Sequence, residues 1–267
     1  MTNPFVAPIQ HLLSEPQASL LLGILFGIDG PMPRSFYQSL ITTGTLHIIA
    51  LSGINITILT TLTAKMLTFM GKKASSIITI CLIVLFVLFV GASPSIVRAS
   101  IMGSMNLVAI VFGRQNWGLL SLFLAAMVIL LFDFSLVKDV SFQLSFLATL
   151  GILLANKPSK RQLQNRLRDQ LFYFLKENLR LTLSAQLFTL PVIFLRFGRI
   201  SLISPVANVL IEWAIQPIMI LGFFTSLVSI IWLPLGIVPA WFTWVPLTYI
   251  ITVIELLARI PFASIRF

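Results

Sequence analysis

Charge is scarce in these 267 residues: Asp, Glu, Lys and Arg together make up 10% of the chain, against roughly 25% in an ordinary soluble domain. Cysteine occurs once, at Cys81, and histidine twice, at His11 and His47. A soluble protein of this size could not hide the 58% of its residues that are hydrophobic, so water-soluble enzymes and binding modules are excluded. The same number excludes intrinsic disorder. One thiol forms no intrachain disulfide, and with two imidazoles it builds no zinc or dinuclear hydrolase site. There is no G-x-x-x-x-G-K-[ST] motif, because Gly71-Lys72-Lys73 lacks the upstream glycine, so no P-loop binds ATP. There is no G-x-S-x-G elbow. His47 and Ser52 are five apart and do not share a helix face, which removes a serine-hydrolase pair. The chain is therefore read as not an enzyme, with no cofactor. Residues 1–17 hold no Lys or Arg, so the basic n-region of a signal peptide is missing.

What is present is apolar. Mean hydropathy is +1.01, and the pattern predicts an all-α polytopic membrane protein, multi-pass in the cytoplasmic membrane. About eight spans are expected: 40–64, 76–90, 95–112, 117–132, 140–156, 179–195, 202–232 and 236–258. The seventh is overlong and contains Pro205, Pro217 and Gly222. It reads either as one kinked helix or as two half-helices joined at a break. Residues 1–39 are expected to form an interfacial segment. Within it, Glu15 to Ile28 is a short interfacial or half-inserted helix opened by a Ser14/Gln17 capping box and ended by Asp29-Gly30-Pro31. Residues 157–178 read as a basic amphipathic cytoplasmic loop, with Leu163, Leu167, Leu171 and Phe174 at helical spacing. The chain as a whole is taken as a single transmembrane domain, 1–267.

The charge balance is lopsided, 18 basic against 8 acidic residues. Ten of the basic residues follow spans one, three and five. The excess of Lys and Arg in cytoplasmic loops puts that side in the cytoplasm and both termini outside.

A polar side chain at membrane depth costs a few kcal/mol, so each is a candidate for function. Four clusters stand out. His47, Ser52 and Asn55 lie in the first span, where His47 is either an interhelix hydrogen-bonding group or a functional one. Arg98 sits in the first turns of a helix opened by Ser93-Pro94, with Met102, Met105 and Asn106 on its face. It either snorkels to the interface or points into a polar cavity. Asp139 and Gln143 share a face beside Ser141, Ser145 and Ala148. N-capping with small-residue packing stands there against a functional role. Pro205, Asn208, Glu212 and Gln216 step by three, four and four along one stripe, which predicts bundle interior or cavity wall.

In this order the clusters resemble the transmembrane domain of the ComEC-type DNA-uptake proteins. The family's H-L-L-A-x-S-G-x-H is His47-Ile-Ile-Ala-Leu-Ser52-Gly53-Ile-Asn55 here. Its P-S-x-x-R-A is Pro94-Ser95-Ile-Val-Arg98-Ala99, and its D-x-S-F-Q-L-S-F runs from Asp139 to Phe146. Thr189-Leu190-Pro191, Phe197-Gly198, Ser204-Pro205-Val-Ala-Asn208 and Pro217 follow in register. The second family histidine is Asn55, which keeps a hydrogen-bonding group and loses a titratable one.

The resemblance implies a membrane channel passing single-stranded DNA across the cytoplasmic membrane during natural transformation. His47, Ser52, Asn55, Arg98, Asp139, Gln143, Asn208 and Glu212 would line or brace its path, with Arg98 guiding phosphates. Asp139 and Glu212 would be paired or protonated, and Arg98 is the candidate partner. Lys160, Arg161, Arg166 and Arg168 would dock DNA or a cytoplasmic helicase-like ATPase. Relatives also carry an OB-like and a metallo-β-lactamase-like domain that do not fit in 267 residues, so extracytoplasmic DNA-binding or nuclease domains would be supplied separately. Membrane lipids are the remaining partner. The rival readings are a small-solute or ion secondary transporter using the same His, Arg, Asp and Glu, and a membrane scaffold whose activity lies in a partner.

Overall fold

The computed structural model describes the chain except at residues 1–4, 29, 50–52, 116, 156–166, 262 and 267, with backbone alone at 167–172, 174, 197 and 266. In chain order the helices are α1 (Val6–Leu12), α2 (Gln17–Phe26), α3 (Arg34–Thr43), α4 (Gly53–Met66), α5 (Gly71–Val90), α6 (Pro94–Val111), α7 (Gly118–Phe132), α8 (Val140–Ala155), α9 (Leu167–Phe197), α10 (Ser204–Ile231) and α11 (Ile237–Ala258). Two three-residue strands, β1 (Arg199–Ser201) and β2 (Ser264–Arg266), pair antiparallel. The protein is an all-α polytopic membrane protein apart from that short ribbon, which the sequence pattern did not announce. Among the described residues, five helical stretches are long and apolar enough to cross a membrane: Thr68–Val90, Pro94–Val111, Leu175–Arg196, Ser204–Ile231 and Leu233–Ala258.

The chain divides into two compact units, 1–51 with 199–267, and 52–198. In the first, α2 is the centre. All ten of its residues are buried, among α1, α10 and α11. The sequence left an interfacial and a half-inserted helix open, and burial on every side is against the form that would keep a polar face to water. A helix apolar on every side belongs inside a packed protein, whereas an interfacial one keeps a polar face. The capping box is absent too. Ser14 Oγ donates to the Gln17 side chain at 3.3 Å, while the Ser19 N–H is held by Glu15 Oε2 at 3.2 Å. Gln17 Nε2 reaches Thr248 Oγ1 of α11 at 3.3 Å.

The expected first span, 40–64, is not one helix. Its first part is the end of α3, which stops at Gly44. That residue has φ +70°, and a Cβ there would stand 2.9 Å from the Ser204 Cβ. A 3-10 turn, Leu46–Ile48, follows, and α4 begins only at Gly53.

The overlong seventh segment is a single 28-residue helix. Pro205 falls in its first turn, where a missing N–H costs nothing. Pro217 lies inside it. Gly222 lets α2 come close, since a Cβ there would stand 2.5 Å from Leu21 Cδ1. Farther along, Thr225 and Thr243 share a buried hydrogen bond of 2.9 Å between α10 and α11.

The second unit holds α4 to α9. Here α8 and α9 form the most extensive helix pair, made possible by Gly151, whose absent Cβ would lie 2.5 Å from the Ser184 carbonyl oxygen. The sixth span is longer than expected. α9 runs unbroken for 31 residues from Leu167, so the later part of the basic 157–178 segment is continuous with the span rather than a separate surface helix. Residues 157–166 lie outside the described residues.

Candidate functional site

Arg98 is the centre of the polar group in the second unit. The sequence Ser93-Pro94 starts α6, with proline in the first turn, and Arg98 follows one turn later. Its side chain is 8% exposed. Nε donates to Ser145 Oγ of α8 at 2.8 Å, and one terminal nitrogen donates to Met102 Sδ at 3.5 Å. Ser145 Oγ in turn donates to Ser95 Oγ at 3.1 Å. The other terminal nitrogen lies where Gly53, the first residue of α4, has no side chain; a Cβ would be 3.0 Å from it. Three helices thus meet at one guanidinium, which bonds to a hydroxyl and a thioether, both neutral. Asn55, 4% exposed, lies in the first turn of α4.

The expected pairing of Arg98 with Asp139 does not form. Asp139 Oδ1 accepts from the Phe142 N–H at 2.8 Å and caps α8. That is the N-capping alternative, and it consumes the carboxylate near the chain rather than near Arg98. Gln143 Nε2 donates to the Val137 carbonyl at 2.8 Å and braces the loop before the helix. Among the described residues the ion pair is Arg180–Glu177, one turn of α9, at 2.7 Å. Close by in the loop after α7, hydrogen bonds from Ser135, side chain first and then backbone, hold the Asp133 carboxyl below its ordinary range.

Three candidates belong to the first unit. His47 is exposed in its 3-10 turn, and its Nδ1 donates to the Gly44 carbonyl at 3.2 Å. It is not in mid-helix, because Gly44 has already ended α3. The stripe on α10 is likewise not in the packed interior. Asn208 is half-buried, with its Oδ1 buried and unbonded, and Glu212 and Gln216 are exposed. The buried face of α10 is the small and aliphatic row Ser204, Ala207, Ile211, Ala214, Ile218 and Gly222. One residue along a helix turns by about 100°, which sets Glu212 on the flank of that row.

Ser52, Lys160, Arg161 and Arg166 lie outside the described residues, and Arg168 falls in the first turn of α9 with its backbone alone described. Ser145 and Gly53 are the residues that sequence reasoning missed. Ser145 had the look of a packing residue, and its partner is 47 positions away. No local spacing signals such a pair.

Among the described residues the buried Arg98 guanidinium is bonded to a hydroxyl and a thioether and to no carboxylate, so it can meet an anion without first breaking an ion pair. That is what this arrangement offers chemically.

Comparison with known proteins is consistent over most of the chain. Residues 24–267 match the family model described as "Competence protein". "ComE operon protein 3" of Bacillus subtilis (strain 168) is 28% identical over 176 residues, covering 65% of this chain. The chain spans 21% of the length of that relative. No solved structure matches.

Proposed function

The chain belongs to the competence protein family, and from that premise we propose that it acts in DNA uptake, passing single-stranded DNA across the cytoplasmic membrane. The observation that carries this reading is Arg98: a buried guanidinium, one turn into a membrane-length helix, with no carboxylate at ion-pair distance among the described residues of its unit. A lone buried cation is costly. A phosphodiester moving past supplies the missing negative charge, and the guanidinium offers it fork-shaped donors.

Asn55 joins Arg98 as a neutral polar group of the second unit. Asp139 and Gln143 have a bracing role, because both are bonded to backbone near the start of α8. In the first unit Asn208, with a buried acceptor left open, and exposed Glu212 give α10 a polar flank. His47 and Ser52 complete the set by their place in the sequence. Lys160, Arg161, Arg166 and Arg168 are assigned to docking of DNA or of a helicase-like ATPase, since the chain has no P-loop of its own. Extracytoplasmic DNA-binding or nuclease domains are assigned as further partners.

The test is uptake of labelled DNA by cells carrying Arg98→Ala. Removing the charge-bearing donor of the cluster is expected to lower uptake by about ten- to a hundredfold, the scale of a lost charged hydrogen bond, at unchanged membrane abundance. Arg98→Lys, a point charge without the fork, should restore part of it. Uptake at the normal rate in Arg98→Ala would remove the proposal's centre.

A further inference from the structure

One hollow in the second unit lies apart from Arg98. It is an open groove of about 1230 Å³ between α5, α6 and the start of α7. Its walls are aliphatic, with Ile83, Val87, Ile101, Met105 and Val108 among them. Ser100 and Ser104 interrupt them on the α6 side. At one end stand Arg114, Gln115 and Trp117, in and after the loop that joins α6 to α7.

Three features identify the occupant. The groove exceeds the roughly 300–1,000 Å³ of small-molecule clefts and is open along its length, unlike a solute site. From Val97 to Phe112 it follows α6 and its C-cap over sixteen residues, a rise of roughly 22 Å at about 1.5 Å per residue. That is deeper than one leaflet's half of the ~30 Å hydrocarbon core. Its polar end joins an arginine to an exposed tryptophan, the pairing that marks headgroup level. We infer that this groove is a binding site for an anionic phospholipid, with acyl chain along α6 and phosphate on Arg114. A neutral-headgroup lipid would fill the same walls but leave Arg114 without its counter-charge. A second copy of the chain would bring no acidic face of comparable density, because acidic residues number only eight in 267.

Trp117 is the sole tryptophan of residues 52–198, which makes it a reporter. The full chain, with Trp213, Trp232, Trp241 and Trp244 replaced by phenylalanine, would be reconstituted in vesicles of phosphatidylcholine. Chain-brominated phosphatidylglycerol or chain-brominated phosphatidylcholine would be added at equal mole fraction, and quenching of Trp117 measured. Brominated phosphatidylglycerol is expected to associate about fivefold more strongly, the factor one basic residue gives at an anionic surface. Arg114→Gln should bring the two lipids to parity, while Arg114→Lys should keep the preference. Equal quenching by both lipids in the unaltered groove overturns the inference. So does a preference that survives Arg114→Gln, or an absence of quenching by either lipid, as when a second copy fills the groove. DNA uptake is not read in this experiment, so its outcome is separate from that of the transport proposal.

Discussion

Arg98 owes its orientation to two residues that carry no charge. Ser145 accepts from Nε at 2.8 Å, and Gly53 leaves the space that a terminal nitrogen occupies. A hydrogen bond to a charged group contributes about 1.5–3 kcal/mol. Ser145→Ala is therefore expected to cut labelled-DNA uptake about tenfold or more at equal protein abundance. Ser145→Thr, which keeps the hydroxyl, should retain most of it. Gly53→Ala, whose Cβ would stand 3.0 Å from a terminal nitrogen, should shift the guanidinium by a few tenths of an ångström and lower uptake less than Ser145→Ala does. Uptake unaffected by both Ser145→Ala and Gly53→Ala would show that the contacts do not orient Arg98. The identity of Arg98 as a candidate was legible in the sequence, since a charged residue in an apolar run is conspicuous. Its partners were not, because Ser145 and Gly53 are ordinary small residues until the fold brings three helices together. Asp139 illustrates the converse. The same two readings, cap or functional group, fitted its spacing, and only the hydrogen bond to the Phe142 N–H decided in favour of the cap.

At the scale of elements, close helix approach is arranged by missing side chains. α8 and α9 meet where Gly151 faces the Ser184 carbonyl. That neighbour is backbone and cannot rotate away, so Gly151→Ala must part the helices. A loss of about 1–3 kcal/mol, the scale of overpacking, is expected and would appear as a lower melting temperature of the detergent-purified protein. An unchanged melting temperature would contradict the packing described. Helix limits were partly legible. Pro94 marked a start that the structure confirms. Residues 40–64 misled because hydropathy is blind to a φ of +70° at Gly44. The average stays apolar while the chain turns. The 15–28 segment stood between an interfacial and a half-inserted helix because it is too short to span, and its all-round apolar character made it the buried centre of a unit.

For the whole molecule, the decisive feature is the large apolar area left outside. Leu85, Leu88, Phe123, Leu131 and Leu187 are among many large hydrophobic side chains that stay exposed, as lipid-facing surfaces do. Cys81 lies exposed within the apolar stretch Thr68–Val90 and is the only thiol in the sequence. It is therefore expected to resist a membrane-impermeant maleimide in intact membranes and to react once the protein is denatured in detergent. Rapid labelling in intact vesicles would take α5 out of the bilayer.

The sequence by itself determined that this chain is a helical membrane protein of the competence family. Both conclusions rest on quantities that need no coordinates: apolar content too high for water, and an ordered series of short motifs. The tertiary structure alone decided which polar residues meet. It joined Arg98 to Ser145, spent Asp139 on a helix end, and moved Glu212 to an exposed flank. Composition and spacing report how much surface a helix must bury and on which side, because burial is summed over many atoms. A hydrogen bond depends on two atoms from distant positions arriving within 3 Å, and that is fixed only when the helices have packed.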